Sequence, residues 1–161
     1  MDDLKQDSPE TKIYPGKAAY AEELMKQGYM CSAAVVAAFG RELGLDPALA
    51  ARISSGLAAG MAQEKTCGAV TGAVLAIGLK YGTGRFADDF SRDLCAQMVQ
   101  EFFHRFTIRR KSVGCKKIHR TYLDDSASPN KLGSRREKLA FCTKIVRDAA
   151  EILEALLAEN V

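Results

Sequence analysis

The sequence predicts an all-α protein, a single-domain bundle of about five or six helices. Apolar residues recur at intervals of three and four along most of the chain, which is the period of a helix that buries one face. Helix start and stop signals bracket these segments, and no long stretch alternates polar and apolar residues as a half-buried strand does. The 161 residues are 47% hydrophobic, so one domain can build its core without disulfide staples.

Glycine and proline delimit the first two predicted helices. Pro15–Gly16 precede the first helix, which runs to about Gln27 and is closed by Gly28 in the left-handed C-cap position. The second helix begins near Cys31 and runs to Leu43, just before Gly44. These signals define two short helices joined by a tight connection.

Capping residues predict the third and fourth helices. Asp46–Pro47 supply an N-cap and a proline for the first turn of the third helix, which fades at residues 54–56. Small residues at 56–60 then form a link. Thr66 can cap a fourth helix over Cys67–Tyr81.

Two glycines lie one turn apart in the fourth helix. Each costs about 1 kcal/mol relative to alanine in a helix interior, so Gly68 and Gly72 require a reason. We predict that they allow a close approach by another helix or by a bound cofactor, and we assign both as cofactor-binding candidates.

The last two predicted helices are long and amphipathic. The fifth runs from about Ala87 to Phe106, and a loop is predicted over residues 124–133. The final helix begins with a capping box made by Ser134 and Glu137, followed by an apolar stripe.

The chain lacks the sequence signals of export and of membrane insertion. Residues 2–7 are acidic and polar, and the longest mostly apolar stretch, Cys67–Leu79, has the length of a core helix. We therefore expect a soluble, cytoplasmic protein without a membrane span. Its flexible lead-in is predicted over residues 1–14 and its single helical domain over residues 15–161.

Positive charge is concentrated in one stretch. The net charge is +3, but seven basic residues and no acidic one lie between His104 and Arg120. They are Arg105, Arg109, Arg110, Lys111, Lys116, Lys117 and Arg120. The remaining 16 Lys and Arg against 20 Asp and Glu give −4 elsewhere. The stretch suits an acidic partner or an anionic ligand, and a solvated helix end is the alternative.

The five cysteines carry the most informative chemistry. None forms a Cys-x-x-Cys pair, so the common zinc-ribbon, thioredoxin and ferredoxin patterns are absent. Cys31 and Cys67 lie at predicted helix starts, where the helix dipole favours a thiolate, and Cys115 lies in the basic stretch. Cys142 is a core-facing helical position, and Cys95 is interpreted as packing. The alternative is that all five are small buried hydrophobic residues.

Four of these cysteines resemble those of a known family. Residues 66–73, with the order Cys-Gly-Ala-x-x-Gly, resemble the signature of the C_GCAxxG_C_C family, whose members are described as redox-active. Residues 28–35 are similar to its first cysteine segment, and Gly114–Cys115 and Phe141–Cys142 to its third and fourth. The resemblance extends from about residue 18 to residue 157.

The resemblance implies a helical domain with a metal or redox centre. On this basis Cys31, Cys67, Cys115 and Cys142 are the expected ligands of an iron–sulfur cluster, 2Fe–2S or 4Fe–4S, in an electron-transfer protein. A similar domain occurs in split-Soret-type cytochromes, but no Cys-x-x-Cys-His motif for haem attachment is present.

The same residues are compatible with other functions. Four thiolates could instead hold zinc, or the protein could perform metal-free thiol–disulfide chemistry. A non-enzymatic binding module is a further alternative. No hydrolase or transferase motif is present and no catalytic residue is assigned, which suits an electron carrier or an accessory to an oxidoreductase.

The expected partner is a redox protein that docks on residues 105–120. No nucleic-acid motif is present, so nucleic acid is not expected as a partner, and a homodimer is left open. His104 and His119 flank the same stretch and are interpreted as surface residues.

Overall fold

A computed structural model describes residues 14–85, 89–125 and 134–160. Within these residues the chain forms seven α-helices and no β-strand, which confirms the all-α, single-domain prediction with seven helices instead of five or six. They are α1 (Lys17–Lys26), α2 (Cys31–Gly40), α3 (Pro47–Ser54), α4 (Gly68–Tyr81), α5 (Asp89–Arg110), α6 (Cys115–Asp125) and α7 (Arg135–Glu159). None of these helices combines the length and the apolar composition needed to span a membrane.

Three predicted features fall partly outside the described residues. They are the lead-in over residues 1–14, of which only Tyr14 is described, the first turn of the fifth helix at Ala87, and the part of the 124–133 loop from residue 126 onward.

The predicted caps of α3 and α7 are confirmed, whereas the prediction that Thr66 caps α4 is wrong, because Cys67 is the N-cap and no side chain caps that helix. The Asp46 carboxylate accepts the N–H of Leu49 at 2.8 Å and begins α3. At the start of α7, the Ser134 hydroxyl accepts the N–H of Glu137 at 3.3 Å, and the Glu137 carboxylate accepts the N–H of Ser134 at 2.6 Å. These bonds satisfy N–H groups that the first turn of a helix leaves without partners.

Helix α6 is the element that was not predicted. Among its described side chains, at residues 115–121, only that of Ile118 is fully buried. Its apolar residues Cys115, Ile118 and Tyr122 do recur at intervals of three and four, but the high density of basic residues favoured the interpretation as a solvated helix end and loop. The preceding helix α5 also continues one turn beyond Phe106, to Arg110.

Helix α2 forms the centre of the bundle. Every residue from Ser32 to Gly40 is buried, and one contiguous hydrophobic core joins this helix to α1, α4, α5 and α7. The Ser32 hydroxyl donates a 2.7 Å hydrogen bond to the buried carbonyl of Ser54, which fixes the start of α2 against the end of α3.

Gly72 brings α4 directly against α2. A Cβ atom at this position would lie 2.7 Å from the carbonyl oxygen of Ser32 and 3.1 Å from the Cβ of Val35. The close approach predicted from the glycine pair is therefore made, at Gly72, by another helix.

The basic stretch lies on two helices, its first part on α5 and its last part on α6. Its three α5 arginines form ion pairs with carboxylates, mostly of α7. These pairs are Arg105 with Glu101 and Glu159, Arg109 with Asp148 and Glu151, and Arg110 with Asp148. Their charges help to hold α5 against α7, so the positive charge that is not neutralised in this way lies nearer to α6.

Candidate four-cysteine site

Three cysteines lie at the N-terminal ends of three different helices. Cys31 is the first residue of α2, Cys67 is the N-cap of α4, and Cys115 is the first residue of α6. Cys142 lies two turns into α7. All four line one cavity of about 800 Å³, which we call the cysteine cavity. Consecutive cysteines of this set are 27 to 48 positions apart in the sequence, and the tertiary fold brings them together.

A pair of backbone hydrogen bonds clamps the α4 and α6 starts together. The N–H of Cys67 donates to the carbonyl of Val113 at 2.8 Å, and the N–H of Cys115 donates to the carbonyl of Lys65 at 2.6 Å. They form an isolated antiparallel bridge between residues 66 and 114. The clamp satisfies two N–H groups and fixes Cys67 beside Cys115.

Gly68 leaves space for the thiol of Cys31. A Cβ atom at Gly68 would lie far closer than 3.0 Å to the Cys31 sulfur, and 3.2 Å from the Cα of Ala58 and the carbonyl oxygen of Leu57. Gly68 also lines the cysteine cavity, whereas Gly72 is not among the lining residues and packs against α2. The two glycine candidates therefore occupy different surroundings.

Gly60, in the predicted small-residue link, lies beside Cys115. Its φ of +64° is in the left-handed region, and a Cβ atom there would lie 2.5 Å from the N atom of Lys65 and 3.0 Å from the Cβ of Cys115. The neighbouring Ala59, Met61 and Ala62 also have positive φ values, between 52° and 61°. Left-handed conformations of such residues cost about 1–2 kcal/mol each, so the wall beside Cys115 is a strained backbone segment.

Burial, rather than the helix dipole, dominates the acidity of the Cys67, Cys115 and Cys142 thiols. It raises the pKa of Cys67 to about 12, although the backbone N–H groups of Ala69 and Val70 act in the opposite direction. Burial also raises the pKa of Cys115, and it raises that of Cys142 to about 11, with further increases from nearby cysteines. The prediction that helix starts and basic residues favour thiolates is therefore wrong for Cys67 and Cys115 in the metal-free protein.

The reduced, metal-free protein should lose stability above about pH 9. Because the pKa of Cys67 is raised from 9.0 to about 12 by folding, its contribution to stability is complete below pH 9 and is lost as the pH rises through 12. Replacing Cys67 with alanine should reduce this loss of stability by about 1 kcal/mol between pH 8 and pH 10. Urea unfolding of the wild type and of Cys67→Ala at several pH values measures how the free energy of unfolding depends on pH. An unchanged slope in Cys67→Ala would contradict the assignment.

His119 lies in the cysteine cavity and not on the surface. Its Nε2 atom lies 3.4 Å from the sulfur of Cys142, and its half-buried ring lines the cavity. Burial lowers the pKa of His119, and the charge of Lys138 adds to this effect. The interpretation of His119 as a surface residue is therefore corrected, whereas His104 is exposed as expected. The available signal was the spacing of four residues from Cys115, which puts both side chains on one helix face.

Cys95 lies apart from the other cysteines. It is on α5, where it packs against the hydrophobic core, and it is not among the residues that line the cavity. All five cysteines carry free thiols. Cys95 therefore provides a natural control for experiments on the other four.

The donor atoms are gathered but not preassembled. Within residues 14–85, 89–125 and 134–160, no group of three or more His, Cys, Asp or Glu side chains is arranged to hold a metal ion. The chemistry of the set nevertheless fits a metal that prefers sulfur, since four thiols and one imidazole line the same cavity. The roles of the four cysteines as ligands, and of Gly68 and Gly72 as cofactor contacts, stay predictions.

Basic side chains surround the cavity. Arg120, Arg135 and Lys138 line it and make no ion pair with any described residue, while Lys116 lies 3.5 Å from the carboxylate of Glu64. These charges and the nearby helix N-termini make the cavity favourable for a negatively charged group.

Comparison with known protein families supports this site. Residues 29–156 match the family model described as "Putative redox-active protein (C_GCAxxG_C_C)". The chain belongs to the C_GCAxxG_C_C family. The match spans α2 to α7 and includes all four cysteines of the cavity. No curated protein and no solved structure matches the chain.

Proposed function

We propose that this member of the C_GCAxxG_C_C family is an electron-transfer protein that binds an iron–sulfur cluster through Cys31, Cys67, Cys115 and Cys142. The observation that carries the proposal is that these four thiols, distant in sequence, line one cavity. Cysteine is the usual ligand of iron–sulfur clusters, and four cysteines are the usual number. When bound, such a cluster would supply a one-electron redox centre.

Some of the groups around the thiols would offset the cost of deprotonation that burial imposes. Metal binding must displace the thiol protons, which burial holds at Cys67 and Cys142. The backbone N–H groups at the start of α4 and the charges of Arg120 and Lys138 would then offset the negative charge of the thiolates. Gly68 would leave room for the cluster beside Cys31, and Gly72 would act through the packing of α4 on α2.

Two other chemistries make different predictions for the same cavity. Zinc would use the same four thiolates but would carry no redox change. Thiol–disulfide exchange requires a thiolate as its nucleophile, and the raised pKa values of Cys67, Cys115 and Cys142 disfavour it at neutral pH. We favour iron–sulfur binding because the family is described as redox-active, whereas zinc would add no redox centre.

A redox partner would dock near α6. The arginines of α5 are engaged in ion pairs, whereas Lys116, Lys117 and Arg120 lie on the α6 side of the cavity and are exposed. An acidic protein surface would bring its own redox centre to this side. Within residues 105–120, we therefore place the docking face on the α6 part.

Anaerobic reconstitution with iron and sulfide tests the proposed function. Serine should replace each cavity cysteine in turn, and Cys95→Ser serves as the matched control. We expect the wild type and Cys95→Ser to bind iron and labile sulfide and to show a reversible one-electron reduction. Each of the four cavity variants should lose most of the iron, because serine is a poor ligand for these clusters. Iron and sulfide analysis, with absorption and EPR spectra, measures the outcome.

Several results would overturn the proposal. Purified protein that contains zinc and takes up no iron would indicate a structural zinc site. Protein that binds neither metal but forms a reversible disulfide between two cavity cysteines would indicate thiol chemistry. Equal iron loading in wild type and all four cavity variants would mean that the cysteine cavity is not the binding site.

A further inference from the structure

His119 is a polar side chain of the cavity that lies outside the four-cysteine pattern. It lies one helical turn after Cys115 on α6, and its Nε2 atom is 3.4 Å from the sulfur of Cys142 on α7. The contact joins two residues that are 23 positions apart in the sequence, on two different helices. The nitrogen of His119 is thus directed at one of the proposed ligands.

The ring is held in this orientation by its neighbour on α7. The imidazole packs edge-on against Phe141, with ring centroids 5.4 Å apart and an interplanar angle of 76°. Phe141 precedes Cys142 directly and is itself buried. The same segment of α7 therefore presents the sulfur and fixes the ring that contacts it.

We propose that His119 donates a hydrogen bond from Nε2 to the Cys142 sulfur and thereby tunes the redox centre. The inference rests on the proposed function, and it makes His119 a positioning and tuning residue rather than a ligand. A thiolate has no proton to donate, so once Cys142 binds metal the N–H must come from the imidazole. A hydrogen bond to a cluster sulfur withdraws electron density and stabilises the reduced state. His119 therefore raises the reduction potential.

The 3.4 Å between the His119 nitrogen and the Cys142 sulfur is also compatible with direct ligation of the metal by His119. Metal–sulfur and metal–nitrogen bonds of about 2.3 and 2.0–2.1 Å at a tetrahedral angle put the two ligand atoms about 3.5 Å apart. Direct ligation by His119 would thus require little movement. It would, however, bring five protein donors to a cluster that commonly takes four, and the hydrogen bond keeps all four cysteines as ligands.

Selective labelling distinguishes these arrangements, because the chain contains only two histidines. The protein would be produced with nitrogen-15 histidine and reconstituted with iron and sulfide, and the reduced cluster examined by pulsed EPR. We expect a weak nitrogen coupling, typical of a hydrogen bond, in the wild type and in His104→Leu. The coupling should be lost in His119→Leu.

Reduction potentials provide the second measurement. His119→Leu should shift the potential to a more negative value, His119→Gln should restore part of the shift through its amide N–H, and His104→Leu should leave it unchanged. Strong nitrogen coupling would overturn the inference in favour of ligation. No coupling and no shift would overturn it in favour of a packing role. The wild-type spectrum decides between these outcomes even if His119→Leu does not fold.

Failure of the wild type to bind iron would overturn the proposed function and this inference together. A bound cluster without nitrogen coupling would overturn the inference alone.

Discussion

Replacing Gly72 with alanine should destabilise the protein, whereas the same replacement at Gly78 should stabilise it. Both glycines lie in α4, so the gain in helix propensity is alike, up to about 1 kcal/mol. At Gly72 the new Cβ atom would lie 2.7 Å from the carbonyl oxygen of Ser32, while nothing lies within 4 Å of a Cβ atom at Gly78. The backbone of α2 cannot rotate away as a side chain can, so we expect Gly72→Ala to cost about 1–3 kcal/mol.

Thermal or urea unfolding measures the change in stability of each variant, which we expect to have opposite signs in the two. For a chain of this size, each kcal/mol changes the melting temperature by about 2–4 °C. Gly72→Ala should therefore melt below the wild type and Gly78→Ala above it. A raised melting temperature in Gly72→Ala would show that α2 and α4 separate easily and that Gly72 is merely tolerated.

The glycines also show how far the sequence could predict the site. Two glycines one turn apart in an otherwise good helix predicted a close approach at α4. The two glycines could not predict which group lies against them, because the identity of that group depends on how α2 packs on α4. The structure puts α2 at Gly72, and the Cys31 thiol and the backbone of residues 57–58 at Gly68.

Local signals predicted where the helices begin, but not the acidity of the thiols at those ends. The starts of α2 and α4 coincide with Cys31 and Cys67 because capping and glycine signals are local. The pKa of Cys67 depends on desolvation, which is a property of the completed fold. Dipole arguments alone predicted the wrong direction of the shift.

Long-range contacts determine the position of α6, which the sequence did not predict. Helix α6 has only one fully buried residue among its described side chains, and its first residue is fixed by the bridge between residues 66 and 114. No local pattern encodes a pairing between segments that far apart. The position of His119 beside Cys142 depends on the same placement of α6.

Replacing Gly68 with alanine should remove most of the iron from the reconstituted protein. The new Cβ atom would overlap the Cys31 sulfur and would also lie 3.2 Å from backbone atoms of residues 57 and 58. The thiol is the most mobile of these groups, so Cys31 should turn away from its place in the cavity. In the metal-free variant, Cys31 should then react faster with an alkylating reagent, because reactivity increases with exposure.

Gly72→Ala is the control for this prediction. It disturbs the same pair of helices at a position that does not line the cysteine cavity, so the protein that stays folded should keep its iron. Iron per folded molecule and the alkylation rate of Cys31, followed by mass spectrometry, separate the two effects. Equal iron loss in both variants would attribute it to stability alone. An unchanged alkylation rate in Gly68→Ala would show that α4 moves as a whole and that Gly68 does not determine the position of the Cys31 thiol.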